Sequence, residues 1–328
     1  MQFCDVLIQE SFLYNTPLTY SADGYHLEKG MRVFVHVKGR KMVGFVLKVY
    51  EGSLQDFEYK ILPIDSQIDT SPIINDELYD LAFKMSHMNV SPLIRVFQTI
   101  LPNSLRPRTT FKKPKEIQGL TFNKLDDEKL TPKQASFIEK FKAQDFVLLK
   151  DARTFYSGYD TLVKRDIFKK VSQEARYVSQ SIENTYPELP LTPEQQSIKD
   201  KIDLNKAHTY LLHGVTGSGK TEVYLHLAKD VLKRGKSVLF LVPEIALTPQ
   251  MIQRVSERFG EDVAIYHSGL NEQEKYEQYI RVKNHETFIV VGTRSALFMP
   301  FDNLGLIVLD EEHDTSYKQT STPSYHAL

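Results

Sequence analysis

The chain has 328 residues, of which 25% are charged, and a formal net charge of −1, so attraction to a polyanion must come from local basic patches and not from the overall field. Its single cysteine, Cys4, excludes an internal disulfide or a thiolate zinc cluster, fits a reducing compartment, and reads most simply as a small buried apolar residue. The N-terminus carries Asp5 and Glu10 where a secretion signal would be basic and then apolar, and no apolar run approaches the ~20 residues that span a bilayer, so the expectation is a cytoplasmic protein with no membrane partner.

Residues 31–49 alternate, with Val33, Val35 and Val37 on one face, a polar Lys38-Gly39-Arg40-Lys41 break, then Val43, Phe45, Leu47 and Val49. That period and that turn predict a β-hairpin. Lys29, Arg32, Lys38, Arg40, Lys41 and Lys48 outnumber the nearby acids Glu28 and Glu51; the excess suits a phosphate backbone as well as it suits a hairpin kept soluble by lysines. A helix follows at residues 76–87, with Leu78, Leu81, Ala82 and Met85 at helical spacing and acids in its first turn. The proline-rich basic stretch from Arg106 to Pro114 cannot continue regular structure and marks a domain boundary.

Thr131 and Pro132 open a helix that runs through Phe141. A second helical run is predicted after Ser157-Gly158, with Leu162, Val163, Ile167, Phe168 and Val171 on one face and Lys164, Arg165, Lys169 and Lys170 on the other. Two short helices, the later one basic, suggest a helix-turn-helix or winged-helix module, against the plainer reading of a solvated face. Residues 186–190 read as another linker. Beyond it, residues 209–213, 237–242, 288–291 and 304–309 are short apolar runs separated by helical stretches, the pattern of a parallel α/β sheet buried on both faces. The fold class is thus multidomain α/β.

The strongest chemical signal is Gly214-Val215-Thr216-Gly217-Ser218-Gly219-Lys220-Thr221, placed between an apolar run and a helix. This satisfies G-x-x-x-x-G-K-[ST] in its required context. Glycines let backbone N–H groups converge on a phosphate at the positive end of a helix, Lys220 reaches the β- and γ-phosphates of ATP, and the Thr221 hydroxyl ligates Mg²⁺. Downstream, the run 304–309 delivers Asp310-Glu311-Glu312-His313 to the carboxyl end of a strand, where open α/β sheets place ligands. Asp310 would hold the magnesium and Glu311 would activate the attacking water. A second acid beside the first points to hydrolysis; a P-loop kinase would need an acceptor pocket and a basic lid, and neither is legible after Lys220.

The Asp-Glu-x-His ending resembles the ATP-dependent helicases of superfamily 2. By that resemblance Thr192-Pro193-Glu194-Gln195 is the adenine-reading element, with Gln195 pairing the adenine edge, and Pro243 to Gln250 and Gly292-Thr293-Arg294-Ser295 grip single-stranded DNA by its phosphates. Read in order, GVTGSGKTEVY, LVPEIALTPQ, HSGL, GTRSALF and DEEHDTSYKQ resemble the N-terminal part of the bacterial primosomal replication-restart DNA helicases. The resemblance implies three domains: a β-rich module that binds a DNA 3′ end (1–105), a winged helix (106–185) and a first RecA-like helicase lobe (186–328). It implies a 3′-to-5′ DNA helicase that recognises stalled or recombination forks and initiates primosome assembly, with forked and single-stranded DNA, single-stranded-DNA-binding protein and primosome loading proteins as partners.

At residue level the resemblance puts Gly39 and Lys60 in the 3′-end pocket, and Tyr317, Lys318 and Tyr325 in an aromatic-rich loop that couples DNA contact to ATP hydrolysis, with Arg294 on the DNA backbone. Where the family has Phe-Asp-Tyr, this chain has Leu18-Thr19-Tyr20, which removes the aspartate expected to contact the 3′-hydroxyl. The second lobe, its arginine finger and the family's zinc-binding cysteines are not in the sequence, so the alternative expectation is a DNA- and ATP-binding fragment without hydrolysis or unwinding.

Overall fold

The computed structural model describes residues 1–9, 16–107, 116–125, 130–144, 146–174, 188–215, 217–244, 249–260 and 263–328. Residues 108–114 of the boundary expected at 106–114, and residues 186 and 187 of the linker at 186–190, lie outside them. Two compact units result: Met1–Lys112 together with Val178–Leu328, and Lys113–Tyr177.

The first unit begins with a mixed sheet of β1 (Gln2–Ile8), β2 (Leu18–Ser21), β3 (Arg32–Val37), β4 (Arg40–Glu51), β5 (Leu62–Pro63) and β6 (Ser66–Gln67), in the order β5-β2-β1-β4-β3-β6. The sheet curls until its two ends meet: the Ile64 N–H donates to Ser21 of β2, the next N–H, of Asp65, donates to Phe34 of β3, and the Tyr20 hydroxyl donates to the His36 carbonyl. Alternation does the work, since Cys4, Val6, Ile8, Tyr20, Val33, Val35 and Val46 share one cluster inside the curl. Cys4 is the buried apolar residue expected, and burial pushes its thiol up to about 12. The β3–β4 hairpin forms around Lys38 and Gly39 as its period predicts. Its basic excess does not survive as a single patch, because Arg32 is buried in a two-pronged pair with Asp69, Lys29 pairs with Asp76 and Lys41 with Asp65.

Outside the curl, Leu7 and Phe45 pack against α1 (Asp76–Met88, capped by Asn75) and α2 (Leu93–Ile100), with the Phe45 and Phe97 rings 4.3 Å apart. The same cluster runs on through Leu239, Leu241, Tyr279 and Phe298 of the C-terminal part. The Tyr279 hydroxyl donates to the Ile73 carbonyl at 2.9 Å and the Asn75 amide to Phe301 at 2.5 Å, so the N-terminal module and the parallel sheet share one core.

The second unit holds β7 (Glu116–Phe122), α3 (Pro132–Phe141), β8 (Val147–Leu148), α4 (Leu149–Phe155), α5 (Asp160–Lys164) and β9 (Phe168–Glu174), the strands in the order β8-β7-β9. Thr131 caps α3 in a reciprocal box with Gln134. The long basic helix expected after Gly158 is corrected here: α5 stops at Lys164, Asp166 takes a left-handed conformation at φ 56°, and Phe168 onward pairs antiparallel with β7. A left-handed residue ends a helix, and the partner strand lies too far away in sequence for local periodicity to register. Lys169 and Lys170 therefore sit on a strand, Lys170 paired with Asp160 at 2.8 Å.

The first unit resumes with α6 (Pro193–Asp200), α7 (Lys220–Leu232), β10 (Ser237–Leu241), α8 (Pro249–Phe259), β11 (Val263–Tyr266), α9 (Glu272–Lys283), β12 (Ile289–Gly292) and β13 (Leu304–Leu309), ending in the small hairpin β14 (Lys318–Gln319) and β15 (Tyr325–His326). The large strands form a parallel sheet in the order β11-β12-β10-β13. Every residue of β10 and β12 is buried, as the apolar runs require. The run at 209–213 is a second correction: it joins no ladder among the described residues, and Leu211 is 77% exposed. Its apolar content signals a strand only if a sheet edge receives it, and here β13 ends the sheet with Ile307 45% exposed.

Candidate nucleotide and DNA sites

The first turn of α7 is built by backbone geometry. Gly219 caps it in a left-handed conformation at φ 78°, which suits glycine, and a Cβ there would run into the Gln195 side-chain amide. Lys220 then turns its ammonium back onto the loop, donating to the Gly214 carbonyl at 2.8 Å and to that of Val215 at 3.4 Å. Thr221 is half-buried beside it, and Gly217 and Ser218 are exposed; Thr216 lies outside the described residues. Gln195 is held at both ends of its amide, its Oε1 accepting from the Thr192 N–H and its Nε2 donating to the Ser218 carbonyl at 3.0 Å. The segment expected to read adenine is thus fastened to the phosphate loop.

Opposite stands the acidic box. The Asp310 N–H donates to Leu241 at 2.9 Å, carrying the β10–β13 ladder one residue further, and Glu311 then turns the chain in a left-handed conformation at φ 48°. A non-glycine residue held there marks stored strain, which clusters at functional sites. Burial raises the Asp310 carboxyl above its ordinary value, the Glu311 charge adds to the rise, and a backbone hydrogen bond and Lys220 work against it. Val231, near the C-terminal end of α7, lies against Gly305 at the start of β13, so the opposite end of α7, with Lys220, lies toward the end of β13 that carries the box. Burial, and then the charges of Asp310 and Glu311, push the Tyr224 phenol up to about 12, so the second turn of α7 faces the box too. Sequence reading missed Tyr224, although its position four residues after Lys220 puts it on the same helix face.

The residues after the box fold back on it. Tyr317 is fully buried, its hydroxyl 2.9 Å from the Leu241 carbonyl and 2.6 Å from that of Asp310, one proton shared by two acceptors at the ends of β10 and β13. Arg294 donates through Nη1 to the Ser316 and Lys318 carbonyls at 2.9 and 2.6 Å, and its guanidinium lies 5.7 Å from the Tyr325 ring centre. In this structure the Tyr317 ring is buried and Arg294 gives Nη1 to chain carbonyls, while its buried Nε has no hydrogen-bond partner among the described residues. Lys318 is exposed. A further network ties α7 to α8, where the buried Arg258 and Glu222 pair at 2.8 Å and His226 bridges Glu222 to the Leu189 carbonyl. In the expected element from Pro243 to Gln250, residues 245–248 lie outside the described residues.

On the N-terminal sheet Gly39 stands at the hairpin tip and Lys60 is exposed two residues before Leu62 of β5. A different residue occupies the rung at Thr19. Asp5 of β1 lies directly opposite it, and the carboxylate oxygen Oδ1 accepts from the Thr19 hydroxyl at 2.8 Å and the Tyr50 hydroxyl at 3.2 Å. Gly39, at the far end of β4 from this rung, is not brought together with it. Sequence reading missed Asp5 because strand register, which decides what faces Thr19, is set by distant contacts.

The residues present fit a nucleoside triphosphate with Mg²⁺: a loop with left-handed glycines, an ammonium now resting on loop carbonyls, a hydroxyl on the first turn, and a carboxylate across the cleft. Among the described residues no group of three or more His, Cys, Asp or Glu could hold a metal unaided, so a cation here would draw its remaining ligands from phosphate and water. No helix of the described residues is long and apolar enough to cross a membrane.

Residues 5–102 match the family model described as 3′DNA-binding domain (3′BD) of PriA, and residues 161–328 match that of the type III restriction enzyme, res subunit. The chain is 31% identical to the replication restart protein PriA of Bacillus subtilis, over all of this chain and 51% of that protein. It is 36% identical to PriA of Chlamydia pneumoniae over 92% of this chain and 42% of that protein, and 44% identical to PriA of a Synechocystis species over 69% and 27%. It spans about half the length of these relatives, or less. The chain belongs to the family of PriA replication restart proteins, with a β-rich N-terminal region and a helicase-type segment of the res-subunit family.

Proposed function

We propose that the chain is the nucleotide-binding and DNA-end-binding part of an ATP-dependent 3′-to-5′ DNA helicase of replication restart, acting at stalled or recombination forks and initiating primosome assembly. In this reading residues 1–105 bind a DNA 3′ end, 106–185 form a winged helix that contacts duplex, and 186–328 form a RecA-like lobe. Single-stranded-DNA-binding protein and primosome loading proteins are the protein partners. The observation that carries the reading is the course of α7 along β13, with Val231 against Gly305, which sets the phosphate loop at the end of the strand that bears the acidic box.

Lys220 leaves the Gly214 carbonyl for the β- and γ-phosphates, exchanging a neutral acceptor for a charged one, and Thr221 and Asp310 are the residues that would hold Mg²⁺. Bound Mg²⁺ neutralises charge on the phosphate oxygens. Glu311 orients a water and accepts its proton, and Gln195 must release Ser218 to meet an adenine edge. Lys318 reaches DNA phosphate from the exposed side of β14. A second reading, nucleotide and DNA binding without turnover, draws on the resting state of Lys220 on its own loop and on the open edge at β13. Measuring ATP affinity and ATP hydrolysis with and without forked DNA separates the two. DNA-stimulated hydrolysis supports the helicase, tight binding without hydrolysis supports the second reading, and no nucleotide binding overturns both.

A further inference from the structure

We infer that Asp5 is the residue of this chain that reads the terminal 3′-hydroxyl of a DNA strand, acting across the β1–β2 rung from Thr19. The inference rests on the reading of residues 5–102 as a 3′-end-binding module and names the group that gives it end specificity. The last nucleotide of a strand differs from all others in carrying a free hydroxyl where they carry phosphate. A side chain that accepts from a hydroxyl and repels a phosphate therefore discriminates twice, by attraction and by exclusion, and a carboxylate does both.

Asp5 is such a carboxylate, half-buried on the outward face of β1. The Thr19 and Tyr50 hydroxyls converge on its Oδ1, which fixes its plane, while among the described residues no hydrogen bond reaches Oδ2. What surrounds it suits a nucleotide. Lys48, paired in register with Asp5, holds its ammonium 5.2 Å from the Tyr50 ring centre, a cation placed for the last internucleotide phosphate. A chain of rings runs from Tyr50 through Phe3 (6.1 Å) and Phe57 (4.9 Å) to the exposed Tyr59 (6.0 Å), a face on which a base can stack. Carboxylate and cation thus share one rung of the sheet, the stacking ring is joined to it through the aromatic chain, and the threonine at position 19 positions the carboxylate in place of supplying it.

The test uses the whole 328-residue chain and fluorescence anisotropy with 5′-labelled oligothymidylates that end in either a 3′-hydroxyl or a 3′-phosphate. The chain should favour the hydroxyl end by on the order of tenfold, the effect of about 1.4 kcal/mol. Asp5→Asn should bring that ratio close to one, and adding Thr19→Asp to it should restore the preference by moving the carboxylate across the rung. Lys48→Ala should weaken both ligands alike and leave the ratio standing. Unfolding midpoints by circular dichroism check that each variant is folded. If folded Asp5→Asn keeps the full preference, Asp5 is not the reader and the proposal is overturned. If the unaltered chain shows no preference, the 3′-end reading itself fails, and Asp5 falls with it.

Discussion

The two large sheets of the first unit solve the problem of their edges in opposite ways. The N-terminal sheet ends in two-residue strands, β5 and β6, that the intervening Ile64 and Asp65 tie together, leaving no long edge for another chain to pair with. The parallel sheet instead stops at β13, with Ile307 open to solvent and the apolar segment 209–213 in no ladder among the described residues, although Leu212 packs against the core. Parallel strands are normally covered on both sides. The lesson is one of location: the groups proposed for nucleotide gather where this sheet is incomplete, at the loop that follows 209–213 and at the carboxyl end of β13, while those proposed for a DNA end lie on the sheet that is closed.

Substitutions can break that contrast. The largest effect belongs to the centre of the open sheet: Val290→Asp, on the fully buried β12, strands a charge in the core and should leave the chain unfolded in circular dichroism, a loss above about 4 kcal/mol. Arg258→Ala removes one partner of the buried pair with Glu222 and should cost about 3–5 kcal/mol in denaturant midpoint measurements. Tyr317→Phe takes the donor from two carbonyls at the ends of β10 and β13 and should cost about 1–3 kcal/mol. Ile307→Lys, at the open edge, should change stability by less than about 0.5 kcal/mol. A large loss there would mean that β13 is covered and the two sheets are alike.

The pH dependence follows from Asp310. Its carboxyl keeps its proton to higher pH in the folded chain than in the unfolded one, so its contribution to stability is fully present below the ordinary aspartate value and is lost as pH rises through the raised one. Mg²⁺-nucleotide binding runs the other way, because it needs the carboxylate, and should fall as pH drops through that raised value. Glu311→Gln removes the neighbouring charge and should move this acid limb to lower pH in calorimetric titrations. An unmoved limb would mean that Glu311 does not act on Asp310.

The sequence was legible where chemistry is contiguous. The phosphate loop and acidic box each occupy a few adjacent residues, and β10, β12, β13 and the β3–β4 hairpin announce themselves by local period. Illegible features depend on a distant partner. The run 162–171 carries helical spacing, but Asp166 breaks it and β7 captures the remainder. The run 209–213 has a strand's composition but no receiving edge. A tyrosine after an acidic box does not declare that its hydroxyl will meet Leu241 and Asp310, and Asp5 acquires meaning only through the register that sets it against Thr19.

The central claim, that Lys220 and the acidic box form one nucleotide site with divided roles, is tested most directly by titrating a fluorescent ATP analogue with Mg²⁺ into Lys220→Ala and Glu311→Gln. The account predicts that Lys220→Ala weakens binding by roughly tenfold or more, as loss of a charge-assisted contact should, while Glu311→Gln stays within about threefold of the parent, a difference below about 1 kcal/mol. Equal loss of binding in both variants would contradict it.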